Sequence, residues 1–377
     1  GGGRRGRGGR SPHDDSDYEV VSEGYGRGRG EVGGRDGGGQ RRLYGKSLQN
    51  AIKESRTVDD ILTIVGENES FLDHIHCVTA IYKMAKLTQS DRRSRGRSER
   101  GRFERVDLLE DPRFQVLKSA IESQINKFDS WATANLLYSF ALLRCNPGYS
   151  LLDLLTGHAV SLGNLLSTVD VSNAFWAFSQ LKYRPHPNVL QDLWDVGVHN
   201  IALADLRSIA GLLESAVKTG HKPSAASLTA VGEYLLDRWD EITARETATA
   251  FISFVRLGYA PSKELLMAID SKMQLDFDQF SNRDLALCLS AFRLARTKPS
   301  AKTLATILVK VKRNFDDFNE RDIIQILYSL SKMNVDPGLE NLDRVSAQMV
   351  SNPKACTAES TLRILDAYVS TGYEPSQ

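Results

Sequence analysis

Four arginines, Arg207, Arg245, Arg283 and Arg321, follow one another with a constant 38-residue spacing. Three further positions repeat on the same period. One reads Asn135, Asn173, Gly211, Thr249, Leu287, Gln325 and Arg363, a second Tyr138, Trp176, Glu214, Ile252, Ser290, Tyr328 and Asp366, and a third supplies Gln180, Lys218, Arg256 and Lys332. Amides and hydroxyls hydrogen-bond base edges, aromatic rings stack on bases, and Arg or Lys hold phosphates. Together they make the set of groups that single-stranded RNA recognition uses, at roughly one base per repeat. The competing reading is a solvated helix face, because each arginine precedes Ser208, Glu246, Asp284 or Asp322, which can simply balance it.

Other combinations that could do chemistry fail on context. Gly28-x-Gly30-x-x-Gly33 matches the dinucleotide fingerprint but sits in a Gly-rich stretch without the strand and helix it needs. Gly39 to Gly45-Lys46-Ser47 has five intervening residues where a phosphate-binding loop has four. His74-x-His76-Cys77 places residues two apart on a helix, facing different ways, with no further ligand cluster nearby, so it reads as a structural pair. Cys77, Cys145, Cys288 and Cys356 stand far apart, with no Cys-x-x-Cys, and read as buried reduced thiols. No serine, histidine and acid set emerges, so the sequence offers no residues for an enzyme, a metal or a cofactor, and none for a small-molecule ligand.

The elements that position the periodic groups are set by prolines. Pro147, Pro185, Pro223, Pro261, Pro299, Pro337 and Pro375 keep the same 38-residue spacing in every case. Counting back from each proline, position minus ten carries Leu137, Phe175, Leu213, Phe251, Leu289, Leu327 and Leu365. Position minus seven carries Phe140, Phe178, Ala216, Phe254, Phe292, Leu330 and Tyr368, so the two make one face of a helix A. Minus eight is always small, from Ser139 to Ala367, which lets a partner helix come close. Apolar residues at plus five and plus eight, such as Leu190 and Leu193, mark a helix B. The proline suits the first helical position of B, and Gly220, Gly258 and Gly372 suit a left-handed close to A.

Such a hairpin cannot bury its apolar face alone. The expectation is therefore an all-α solenoid of about seven 38-residue helix-turn-helix repeats over 128–377. In this frame the chemical positions lie at minus 16 (the four arginines), minus 12, minus nine and minus five, a single stripe on helix A. Ala80 to Leu87 matches the Tyr138 helix at an offset of one repeat plus about half of another. Residues 47–127 thus read as divergent N-terminal repeats, with a helix B near Asp111 to Asn126 and a basic loop inserted at 90–106. Residues 1–46 are dominated by Gly and Arg and read as a disordered tail.

Charge tempers the RNA reading. The chain is only +1 overall, while 1–46 carries ten basic and seven acidic residues and 90–106 seven and three, so the array itself is mildly acidic. Contact with RNA then needs local clustering of the arginines, or help from the tail and loop. No run approaches the ~18 to 20 apolar residues of a membrane span. The chain opens on Gly-Gly-Gly without methionine and stops just after a repeat's proline, as a segment of a longer protein would.

The period, the small residue between two apolar ones, and Leu257-Gly258-Tyr259-Ala260-Pro261 resemble the octotricopeptide repeat, and the related helical repeats of FAST-kinase-like and RAP-domain proteins look similar. The resemblance covers about 128–377. It implies a chloroplast or mitochondrial protein that binds an organellar transcript or ribosomal RNA, within a ribonucleoprotein complex, in transcript stability, processing, splicing or translation. It also implies that helix A is the reading helix. The Pro-Pro-Pro-Glu-Trp motif of green algal members is replaced here, for example by Tyr183-Arg184-Pro185-His186-Pro187, and no RAP sequence is visible. The alternative is a structural scaffold, or an organellar ribosome-associated subunit, whose helices bind protein.

Overall fold

The computed structural model describes residues 43–94, 108–351 and 357–374. The glycine fingerprint, Cys356, Pro375, most of the Gly/Arg tail and most of the basic loop lie outside the described residues. Within them the chain is all-helical, a run of helical hairpins of the α-solenoid kind. The helices are α1 (Gly45–Glu54), α2 (Val58–Glu67), α3 (His74–Ser94), α4 (Pro112–Ser123), α5 (Ser130–Leu143), α6 (Tyr149–Leu162), α7 (Thr168–Leu181) and α8 (Pro187–His199). They continue with α9 (Leu206–Thr219), α10 (Ala225–Asp237), α11 (Ala244–Arg256), α12 (Lys263–Leu275), α13 (Asn282–Leu294), α14 (Ala301–Arg313), α15 (Glu320–Lys332), α16 (Leu339–Ser351) and α17 (Ala358–Thr371). No described helix is long and apolar enough to cross a membrane.

From α5 onward the odd-numbered helices are the A helices, and their first residues, from Ser130 and Thr168 to Glu320 and Ala358, keep the period of the prolines. The B helices α6 to α16 keep the same interval. One interaction sets this register. The residue before each A helix, Asp129, Ser167, Asp205, Thr243, Ser281, Asn319 or Thr357, accepts a hydrogen bond on its side chain from the amide three residues on. That bond satisfies one of the donors a helix N-terminus leaves open.

The other end of helix A is equally regular. The residue three before the proline is left-handed in all seven repeats, whether it is Gly220, Gly258 and Gly372 or Arg144, Lys182, Arg296 and Asn334. The next amide bonds back to the carbonyl at minus seven, as in Tyr259 to Phe254 at 3.0 Å and Tyr373 to Tyr368 at 3.0 Å, closing a Schellman-type turn. The proline sits two places earlier than the sequence suggests. It precedes the N-cap of helix B, and the cap falls to His186, Ser224, Ser262 or Ser300. A Ser hydroxyl offers helix B a hydrogen bond that a proline cannot, so the proline's role is to hold the entry to the cap extended. Proline at the first helical position does occur, at Pro187 and Pro112.

The described residues divide into two compact units, one ending at Ala204 and the other beginning at Asp205. In the first, α3 packs on α5 and α5 on α7, with α4, α6 and α8 behind. A short hairpin, α1 and α2, lies on α3 and α4 and opens the described part of the stack at Gly45. Helix α4 falls where a helix B was expected, while α3 runs on to Ser94, into the start of the inserted loop. In the second unit, α9, α11, α13, α15 and α17 pack in sequence, and α10, α12 and α14 pack likewise.

Close packing rests on the small residue at minus eight, which is buried in every repeat: Ser139, Ala177, Ser215, Ser253, Ala291, Ser329 and Ala367. Phe251 meets Phe292 of the next repeat edge to face at 4.9 Å. Tyrosines at minus two stitch repeats together. The Tyr183 hydroxyl donates to Asp153 of the preceding helix B at 2.5 Å, and Tyr373 donates to Asp343 in the same way.

Two outcomes follow for stability, both measurable by urea denaturation. Ala291→Leu forces α13 away from its neighbours and lowers stability by about 1–3 kcal/mol. Arg296→Gly relieves a left-handed arginine and raises stability by about 0.5–1 kcal/mol.

Candidate nucleic-acid interface

The stripe expected on helix A divides into exposed ends and a covered middle. At minus 16, Arg207, Arg283 and Arg321 are exposed and Arg245 is half-buried; at minus five, Gln180, Lys218, Arg256 and Lys332 are exposed. Between them, Asn135, Tyr138, Trp176 and Thr249 are each at most 9% exposed. Asn173, Gln325, Tyr328 and Arg363 are half-buried. The cause is the flanking helices: α5 lies between α3 and α7, and α11 between α9 and α13, so side chains near mid-helix are covered from both sides.

The aromatic residues are the clearest correction. Tyr138 and Trp176 do not present free faces for bases, because their rings lie 4.9 Å apart and hold α5 against α7. Tyr328 is half-covered as well: the Arg293 guanidinium stands over its ring at 5.0 Å and Lys332 at 6.0 Å. Two of the amides are also engaged, Asn135 accepting from Ser139 at 3.3 Å and Gln325 donating to Ser329 at 3.1 Å. Arg293 did not belong to the expected stripe. It sits at minus six, and only the packing of α13 on α15 brings it to the next repeat's tyrosine.

The cations sort into two groups. Lys218 pairs with Glu214 at 2.8 Å, Lys332 with Asp366 at 2.6 Å, and Arg363 with Glu359. Arg245, Arg256, Arg283 and Arg321 form no ion pair with any described residue. The acids that follow the arginines are occupied elsewhere. Glu246 accepts from the Thr243 amide at 2.8 Å, Asp284 from the Ser281 amide at 3.0 Å and hydroxyl at 2.6 Å, and Asp322 from the Asn319 side chain. They complete the helix caps, and Asp284 and Asp322 are buried in doing so. The neighbouring acid therefore does not explain the arginine.

Each of these arginines except Arg256 is the second residue of its helix, where the helix dipole disfavours a positive charge. Arg245 and Arg256 each feel other cations and carboxylates together. Burial comes first in holding Arg245 below its ordinary proton affinity, and Arg207 and Arg283 add to it against Asp284 and Glu214. Burial again leads for Arg256, with Arg363 and Arg321 pushing the same way and Glu214 and Glu359 opposing. Arg256 thus feels charges from α9, α15 and α17. The A-helix face of the second unit gathers cations from several repeats.

The first unit lacks this feature. Its minus-16 positions are Trp131, 46% exposed, and Val169, and its minus-five positions are the buried Leu142 and the neutral Gln180. A scan against protein-family models finds no match for the chain, and neither does a search of curated proteins.

The remaining sequence candidates have structural roles. His76 is buried; its Nε2 lies 2.8 Å from the Gly45 carbonyl and its ring meets Asp73, while His74 faces the Phe128 ring. Cys77, Cys145 and Cys288 are buried and in no disulfide, and burial pushes the Cys77 thiol up to about 12. For His76, burial alone would lower the proton affinity. The hydrogen bond to Asp73, the bond to Gly45 and the carboxylate's charge outweigh it and hold the imidazole above its ordinary value. Because the folded value is raised, the stabilisation is complete below the unfolded value of about 6.5 and is lost as pH rises through the folded one. His76→Gln should therefore lower the urea midpoint more at pH 5.5 than at pH 8.

Proposed function

We propose that the chain is a non-catalytic RNA-binding repeat protein that holds single-stranded RNA on the arginine edge of α9, α11, α13 and α15. The observation that carries this reading is the set of arginines without ion pairs, Arg245, Arg256, Arg283 and Arg321. Three of them, Arg245, Arg283 and Arg321, stand in the first turns of their helices against the helix dipole, a cost to the fold that an anionic ligand offsets. The resemblance to octotricopeptide repeats supports extending the proposal to an organellar transcript or ribosomal RNA. The setting is then a ribonucleoprotein of the chloroplast or mitochondrion, acting in transcript stability, processing, splicing or translation.

The competing reading is a scaffold that binds protein. The two readings part on one experiment, binding of the full chain to single-stranded RNA beside the variant Arg245→Ala/Arg283→Ala/Arg321→Ala. At about 0.7 kcal/mol for each exposed contact, the variant binds roughly 30-fold more weakly. Equal affinity of the two chains would remove the arginine edge from the account and leave the scaffold.

A further inference from the structure

We infer that the arginine edge reads the phosphodiester backbone alone and takes single-stranded nucleic acid of any base sequence, RNA and DNA alike. The inference rests on the RNA reading above and narrows it, since a repeat array of this period would otherwise be expected to select one base per repeat.

Base selection needs hydrogen-bonding or stacking groups free to meet a base, and the positions for them on the second unit's A helices are minus 12 and minus nine. On α9 these are Gly211, which has no side chain, and Glu214, an anion paired with Lys218. On α11 they are Thr249 and Ile252, 8% and 3% exposed. On α13 they are Leu287, which is apolar, and Ser290, 5% exposed. On α15, Gln325 has its amide nitrogen on Ser329 and Tyr328 has its ring under Arg293.

Telling RNA from DNA needs a partner for the 2′-hydroxyl. The hydroxyls two residues before Arg245 and Arg283, those of Thr243 and Ser281, accept the helix-cap hydrogen bonds, and the Asn282 amide donates to the Asp317 carbonyl at 3.0 Å. The cations on this edge without an ion pair are guanidinium groups, whose forked donors match phosphate oxygens.

The test is a salt titration of the full chain against oligo(U), oligo(A), oligo(C) and oligo(dT) of equal length. It is run beside Arg245→Ala/Arg256→Ala/Arg283→Ala/Arg321→Ala, with the single variant Arg283→Ala in case the fourfold one misfolds. Affinities should agree within about threefold across bases and sugars, under about 1 kcal/mol. The slope of log affinity against log salt should become shallower by roughly 0.7 for each arginine removed, about 2.8 in the fourfold variant. A preference of about tenfold or more for one base or one sugar, retained across the salt series, would overturn backbone-only reading while leaving RNA binding in place. A slope unchanged by the substitutions would overturn the RNA reading itself.

Discussion

The hydrogen bond from each N-cap side chain to the first turn of helix A governs both the regularity of this fold and the character of its charged edge. It starts the A helices at 38-residue intervals, because an oxygen-bearing side chain recurs at the same place from Asp129 to Thr357. In three arginine-bearing repeats it also draws in the acid that follows the arginine. Glu246, Asp284 and Asp322 bind back to the cap, and the guanidinium beside each is left without a carboxylate partner. A sequence that places Arg next to Asp or Glu invites an ion pair; the cap competes for the same carboxylate and wins.

Packing of the A helices decides which of the remaining side chains can act. A buried small residue at minus eight brings adjacent helices close, and side chains at minus 12 and minus nine become contacts between repeats. In the first unit this produces the Tyr138 and Trp176 pair and an edge without cations. In the second unit the flanking ends stay open and carry the arginines. The two units share a repeat and differ in the groups they present.

Much of the fold was legible in the sequence because proline, the apolar pair and the small residue recur without slippage, and because a hairpin of that length has few ways to bury its face. The proline stands two positions before the first helical place that its fixed φ suits, and in three repeats the Ser at plus one takes the cap with a side-chain oxygen that proline lacks. The division at Ala204 left no mark in the pattern, which runs through it unchanged. The candidate site was legible at its ends, where Arg207, Arg283, Arg321 and Arg256 are exposed as the spacing implied. It was illegible in the middle. Helical periodicity says which residues share a face, but whether neighbouring helices cover that face depends on contacts between repeats, and these placed Asn135, Tyr138, Trp176 and Thr249 inside. The cap series was visible as Ser, Thr, Asp or Asn once in every repeat and could have been found before the structure.

If the arginines serve a ligand at the expense of the fold, thermal unfolding of Arg283→Ala/Arg321→Ala in the absence of nucleic acid will show it. Removing two cations from first turns, at about 0.3–1 kcal/mol each, should raise Tm by a few degrees. A fall in Tm would show that Arg283 and Arg321 hold the structure together, and would contradict the account.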